Sequence, residues 1–162
     1  MPRASSTPQP ARSRAAQRIA RSFPPDQWRT LMRLPAEVMI ATINALPSDR
    51  RRTVPVGLAG LDAIAAGRGF DSDLVRAVVA AIYAEPEDPQ AAEPALDQQQ
   101  VLAECRRAAA ILREYADPGD AAVYRHWVRQ VAVRVCAAAD ANGDPIAAPA
   151  QGLLDELAAV LS

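Results

Sequence analysis

Asp140, Asn142 and Asp144, in the run ADANGDPIAA at 139–148, alternate as the opening oxygen ligands of a calcium loop do. The chemistry on offer is the binding of a hard divalent cation, a weak Ca²⁺ or Mg²⁺ site built from carboxylate and amide oxygens. A complete loop uses about six to eight oxygens, a glycine at its sixth position and usually a bidentate glutamate at its twelfth. Counted from Asp140, those positions hold Pro145 and Gln151. Asn142-Gly143 is also a common turn dipeptide, so the competing reading is a polar connection between helices with Asp and Asn as caps. Asp155 and Glu156 are the carboxylates that could swing in from the last helix to complete a cation site.

Catalytic chemistry has fewer candidates. His126, the only histidine, stands in YRHWVRQ off the apolar face marked by Trp127, Val131 and Val135, and is predicted to be solvated. A general base needs a hydrogen-bonded partner and a cleft, and the sequence offers His126 neither. Cys105 and Cys136 lie far apart in helix-patterned runs without a CxxC or a histidine at metal spacing, which predicts buried thiols. There is no nucleophile elbow, GxGxxG or P-loop. A protein without enzymatic activity and without a cofactor is the expectation. Trp28 and Trp127 are read as large core anchors in preference to ligand-stacking platforms.

Half of the 162 residues are hydrophobic but only 4% are aromatic, so the core must be built from Ala, Val, Leu and Ile, a mixture suited to close-packed helices. A net charge of -1 argues against a whole-domain footprint for nucleic acid. No apolar run approaches the roughly 18 residues of a membrane span, and no apolar stretch follows the N-terminal arginines as in a secretory signal. A cytoplasmic protein without membrane insertion follows as the expectation.

Residues 1–22, rich in Arg, Pro and Ser, are predicted to be a disordered tail with at most a short helical stretch at 15–21. A helical domain is expected from 23 to 162. Asp26 is read as the N-cap of a short helix carrying Trp28, Leu31 and Met32, and Leu34-Pro35 as the opening of a second, nearly all-apolar helix. A third helix starts at Thr53 and Pro55, places Leu58, Leu61, Ile64 and Ala65 on one face, and stops at a left-handed Gly67. Asp71, Ser72 and Asp73 crowd the start of a fourth, which ends before an acidic, proline-rich linker at 85–95. Three more helices follow: about 96–116, about 118–139 with Asp117 as N-cap and Pro118 in its first turn, and 149–161. No segment alternates with a strand's period, so the class is all-α, a single compact bundle of six or seven helices.

An internal echo runs through the chain. Without a gap, Val38 aligns with Val131, Ile40 with Val133, Ile43 with Cys136, Leu61 with Leu154, Asp62 with Asp155 and Ile64 with Leu157. This is the pattern of two related helix–loop–helix units. The segments 39–67 and 135–161 that carry it resemble the tellurite-resistance TerB-like family, which has paired A-x-x-D-G units, each followed by an acidic helix start and a closing L-x-x-I-A-x-x-L. The resemblance implies a helical, stress-associated module with a capacity to bind metal. Where the family has acidic groups, this chain has Arg50-Arg51-Arg52 and Val56 in the first unit and Pro149, Ala150 and Gln151 in the second.

Three functions therefore stand as expectations. The first is a helical interaction or scaffold module, stress-associated as in TerB-like proteins, that meets a protein partner through a helix face or the acidic linker. The second is a weak divalent-cation binder or sensor using Asp140, Asn142 and Asp144. The third is recruitment of nucleic acid or an acidic partner by the Arg-rich tail, which the sparse spacing of its arginines disfavours. The oligomeric state is left open.

Overall fold

A computed structural model of the chain describes residues 9–49, 54–85, 96–140 and 145–162. Seven helices occupy them: α1 (Gln9–Arg21), α2 (Pro25–Ala45), α3 (Val54–Ala66), α4 (Asp73–Ala84), α5 (Gln98–Tyr115), α6 (Pro118–Ala139) and α7 (Ala148–Val160), with one 3₁₀ turn at Gly67–Gly69. Among the described residues there is no strand, and the all-α bundle expected from periodicity is what the chain forms. No helix of the described residues is long and apolar enough to cross a membrane.

α6 is the centre of the bundle, packing against α2, α3, α4, α5 and α7. Its start is as the sequence predicts: Asp117 caps it by accepting the Gly119 N–H at 2.9 Å, and Pro118 sits where no N–H is needed. Asp120, in the same turn, accepts a 2.6 Å hydrogen bond from the Ser72 hydroxyl, which also accepts from the Val75 N–H to cap α4. One serine thus ties the starts of two helices together. α5 opens with a reciprocal capping box between Asp97 and Gln100.

The two helices expected on either side of residue 34 are a single helix, α2, with Pro35 in its interior. Its N-cap is Pro24, and Asp26 lies within the first turn. A mid-helix proline removes the N–H that would reach the carbonyl four residues earlier, which here is Leu31. That carbonyl is not orphaned: the hydroxyl of fully buried Tyr124, on α6, donates to it at 2.7 Å. Neighbouring Trp127 ties α6 to α3: its indole N–H donates at 3.1 Å to Ala63 O, near the end of that helix. The two rings meet edge to face at 5.7 Å.

Two glycines permit this packing. A Cβ on Gly67 would lie 2.7 Å from Val79 Cγ2 and 2.8 Å from the Trp127 ring, so Gly67 is required for close approach and not, as expected, for a left-handed cap. A Cβ on Gly60 would lie 2.5 Å from Met39 Sδ. α3 therefore rests on α2 and α6 through its Val56, Gly60, Ala63 and Ile64 face.

The expected disordered tail is corrected over its described part: residues 9–21 form α1, which packs on α4. Ala15, Ala16, Ile19 and Ala20 are half-buried on one face, and Ile19 reaches the core. These mostly small residues give a weak apolar signal, yet they are enough to dock a helix against a neighbour. Residues 1–8, Thr53 and the linker at 86–95 lie outside the described residues; Glu85 ends α4.

The internal echo extends to the helices themselves. Shifted by the 93 residues that separate Leu31 from Tyr124, α1 falls within α5, α2 coincides with α6 from its first proline on, and α3 overlays α7 but for one residue. Burial recurs at the same shift: Leu31 and Tyr124, Leu34 and Trp127, Val38 and Val131, Thr42 and Val135, Gly60 and Leu153, Ile64 and Leu157 are all buried.

Candidate functional site

Of the three residues with cation-binding potential, Asp140 is described: it is half-buried and ends α6, its N–H donating to Cys136 O at 3.1 Å. Asn142 and Asp144 lie outside the described residues. The two carboxylates of the last helix, Asp155 and Glu156, are engaged elsewhere. Asp155 accepts from Gln151 Nε2 at 2.9 Å, and Glu156 accepts from Gln98 Nε2 at 3.0 Å, which fastens α7 to the start of α5. Among the described residues no group of three His, Cys, Asp or Glu side chains comes together as a metal site.

Both cysteines are buried. Burial, reinforced by the charge of Glu37, pushes the Cys105 thiol up to about 12; burial, reinforced by Asp140, pushes Cys136 up to about 11. Thiols so held are protonated at neutral pH and are poor nucleophiles. His126 is exposed, with its ring 6.0 Å from that of Phe70. Trp127 is the core anchor expected of it; Trp28 is half-buried and tilts against Phe23 at 5.6 Å.

A cleft of about 310 Å³ between α2 and α5 is lined by charge, but the charges answer one another within it. Asp26 pairs with Arg29 at 3.6 Å, Arg33 with Glu37 at 3.4 Å, and Glu104 with Arg107 at 3.9 Å. Burial raises the Glu37 carboxyl above its ordinary 4.5, with Arg33 opposing and Glu104 reinforcing the shift. The folded chain therefore holds this proton to a higher pH than the unfolded chain. The corresponding stabilisation is complete below about 4.5 and is lost as pH rises through the folded value. Glu37→Gln is expected to raise the melting temperature at pH 7, with the gain shrinking toward pH 4; melting curves across that range check it.

The surface that the fold leaves unexplained is the outer side of α3. Val54, Leu58 and Leu61, at steps of four and three, are 73%, 53% and 50% exposed. The face that periodicity assigns to Leu58, Leu61, Ile64 and Ala65 is thus split: Ile64 turns inward with Val56, Gly60 and Ala63, while the leucines face out. Asp62 is the only charged residue in the helix. Ile40, next to the Met39 on which Gly60 rests, is 40% exposed.

The second unit supplies an internal control. At the equivalent positions α7 carries Gln151 in place of Leu58, exposed like it, and a half-buried Leu154 in place of Leu61. The fold accepts a polar side chain at this site in one unit and presents a leucine in the other. Packing alone does not require Leu58. The signal was available in the sequence: VPVGLAGLDAIAA has apolar residues on every side, more than one buried stripe can use. No family model, no curated protein and no solved structure matches the chain.

Proposed function

We propose that this chain is a non-enzymatic protein-interaction module that docks a partner through the outer face of α3. The observation that carries the proposal is the exposure of Leu58 and Leu61 on a helix with a single charge, at a position where the repeated unit has glutamine. Exposed apolar residues scattered singly are ordinary, whereas a contiguous stripe marks a contact surface. The two separately buried thiols, the self-neutralised cleft and the exposed His126 support a binding role over a catalytic one. The TerB-like resemblance of segments 39–67 and 135–161 adds a stress-associated setting in the cytoplasm to this reading.

The pair Leu58→Gln and Leu61→Gln is expected to leave the melting temperature almost unchanged, because exposed substitutions stay within about 0.5 kcal/mol. The same pair should return the chain from partner-bound to free size in size-exclusion runs of host extract. A variant that elutes with the same partners as the native chain contradicts the proposal.

A second reading has its own observation. Arg14, Arg18 and Arg21, at steps of four and three on α1, are exposed on the side opposite its packing face. Such a ridge suits phosphates or acidic side chains. Changing Arg14 and Arg18 to Glu should abolish binding to a 20-base-pair DNA duplex and flatten its salt dependence; a native chain that shows no binding at 50 mM salt removes this reading.

A further inference from the structure

We propose that the cleft between α2 and α5 binds a small zwitterion, a free amino acid whose ammonium enters between Glu37 and Glu104 and whose carboxylate meets Arg29 and Arg107 at the mouth. The charges of the cleft are graded by depth. Glu37 is the least exposed of them, its side chain 16% accessible, and Glu104 follows at 30%. Arg33 is 40% exposed, Arg107 55% and Arg29 64%, with Asp26 outermost at 82%. A negative floor beneath a mostly positive mouth is complementary to one molecule that carries both charges. Burial holds the Glu37 carboxyl above its ordinary range and the neighbouring Glu104 adds to the effect, so an ammonium brought between them supplies compensation that the ionised floor lacks.

The ion pairs of the cleft do not close it. At 3.4, 3.6 and 3.9 Å they are longer than the ~2.7–2.9 Å of a charge-assisted hydrogen bond, and each joins two residues of one helix, so none of these three spans from α2 to α5. Pairs this exposed contribute little to stability and can be exchanged for the charges of a ligand. The repeat shows that the fold does not ask for these side chains. At the 93-residue shift Arg29, Arg33 and Glu37 correspond to Ala122, His126 and Gln130, and Gln130 is half-buried like Glu37. A neutral amide fills the position in one unit, whereas the other carries a carboxylate against the cost of burying it. The cleft, of about 310 Å³ with Leu96 supplying apolar surface, stands at the lower end of the ~300–1,000 Å³ of small-molecule sites, which suits a molecule of amino-acid size.

The test is isothermal calorimetry of the full chain with the common amino acids and γ-aminobutyrate, beside n-butylamine and butyrate at matched ionic strength. At least one zwitterion should bind with a dissociation constant of about 1 mM or tighter, and each single-charge compound about tenfold or more weakly. Glu37→Gln, the side chain that Gln130 provides in the other unit, keeps the fold and should weaken the zwitterion by about tenfold or more. Arg29→Gln combined with Arg107→Gln should do the same from the carboxylate side. Leu58→Gln with Leu61→Gln should leave the affinity unchanged, which keeps this site separate from the α3 face. Binding of n-butylamine or butyrate as tight as the best zwitterion overturns the proposal. So does an affinity indifferent to the cleft variants or lost on the α3 pair, and so does the absence of saturable heat from every compound at about 10 mM.

Discussion

Trp127→Ala is expected to cost about 3–5 kcal/mol, the largest loss from any single side chain in this molecule. Trp127 is completely buried, and three separate features depend on it. It fills the space between α6 and the turn after α3, where Gly67 has been reduced to no side chain at all to admit the ring. Its indole N–H donates to Ala63 O near the end of α3. It also stacks edge to face on Tyr124. Truncation opens a cavity bounded in part by backbone at Gly67, and it removes the indole donor from the buried Ala63 O. Each kcal/mol lowers the melting temperature of a domain this size by roughly 2–4 °C, so a thermal or denaturant melt reads the effect directly. A fall of under about 1 kcal/mol contradicts the account of the core.

Tyr124→Phe removes one oxygen and is expected to cost about 1–3 kcal/mol, since it leaves Leu31 O buried with neither a helical N–H nor a hydroxyl to meet it. The cause lies four residues away, at Pro35, and this makes the prediction specific. In a Pro35→Ala background, residue 35 regains an N–H that can reach Leu31 O, so the cost of Tyr124→Phe should fall to a few tenths of a kcal/mol. A double-mutant cycle by chemical denaturation measures the coupling. Equal costs in the two backgrounds would show that the Tyr124 hydroxyl does not serve the carbonyl that Pro35 exposes.

These two contacts also mark where the sequence was legible and where it was not. Local signals were read well: Asp117-Pro118 starts α6 and the Ser72 region starts α4, because a cap and the helix it serves are neighbours in the chain. The same local rule makes Pro35 a helix start, and it fails there because the donor that meets the carbonyl exposed by the proline is Tyr124, 93 residues away. Gly67 likewise follows a local helix-stop rule in the sequence, whereas in the fold it clears space for Trp127 and Val79. α1 was missed as a packed element since alanines on its inner face carry little hydrophobic signal. At the candidate site, periodicity puts Leu58, Leu61, Ile64 and Ala65 on one face of α3, but period alone does not say which part of a nearly all-apolar helix faces inward. The face that packs is the one carrying Val56, Gly60, Ala63 and Ile64, with Gly60 lying against the Met39 side chain.

The central claim is that the outer face of α3 binds a partner whereas the equivalent face of α7 does not. Placing a photo-cross-linking residue at position 58 in one sample of full-length chain and at position 151 in another tests it most directly, since the repeat makes each the control for the other. Irradiation in the host cell should give discrete protein adducts from position 58 and only background from position 151. Equal adducts at both positions, or none at 58, would contradict the docking role of α3.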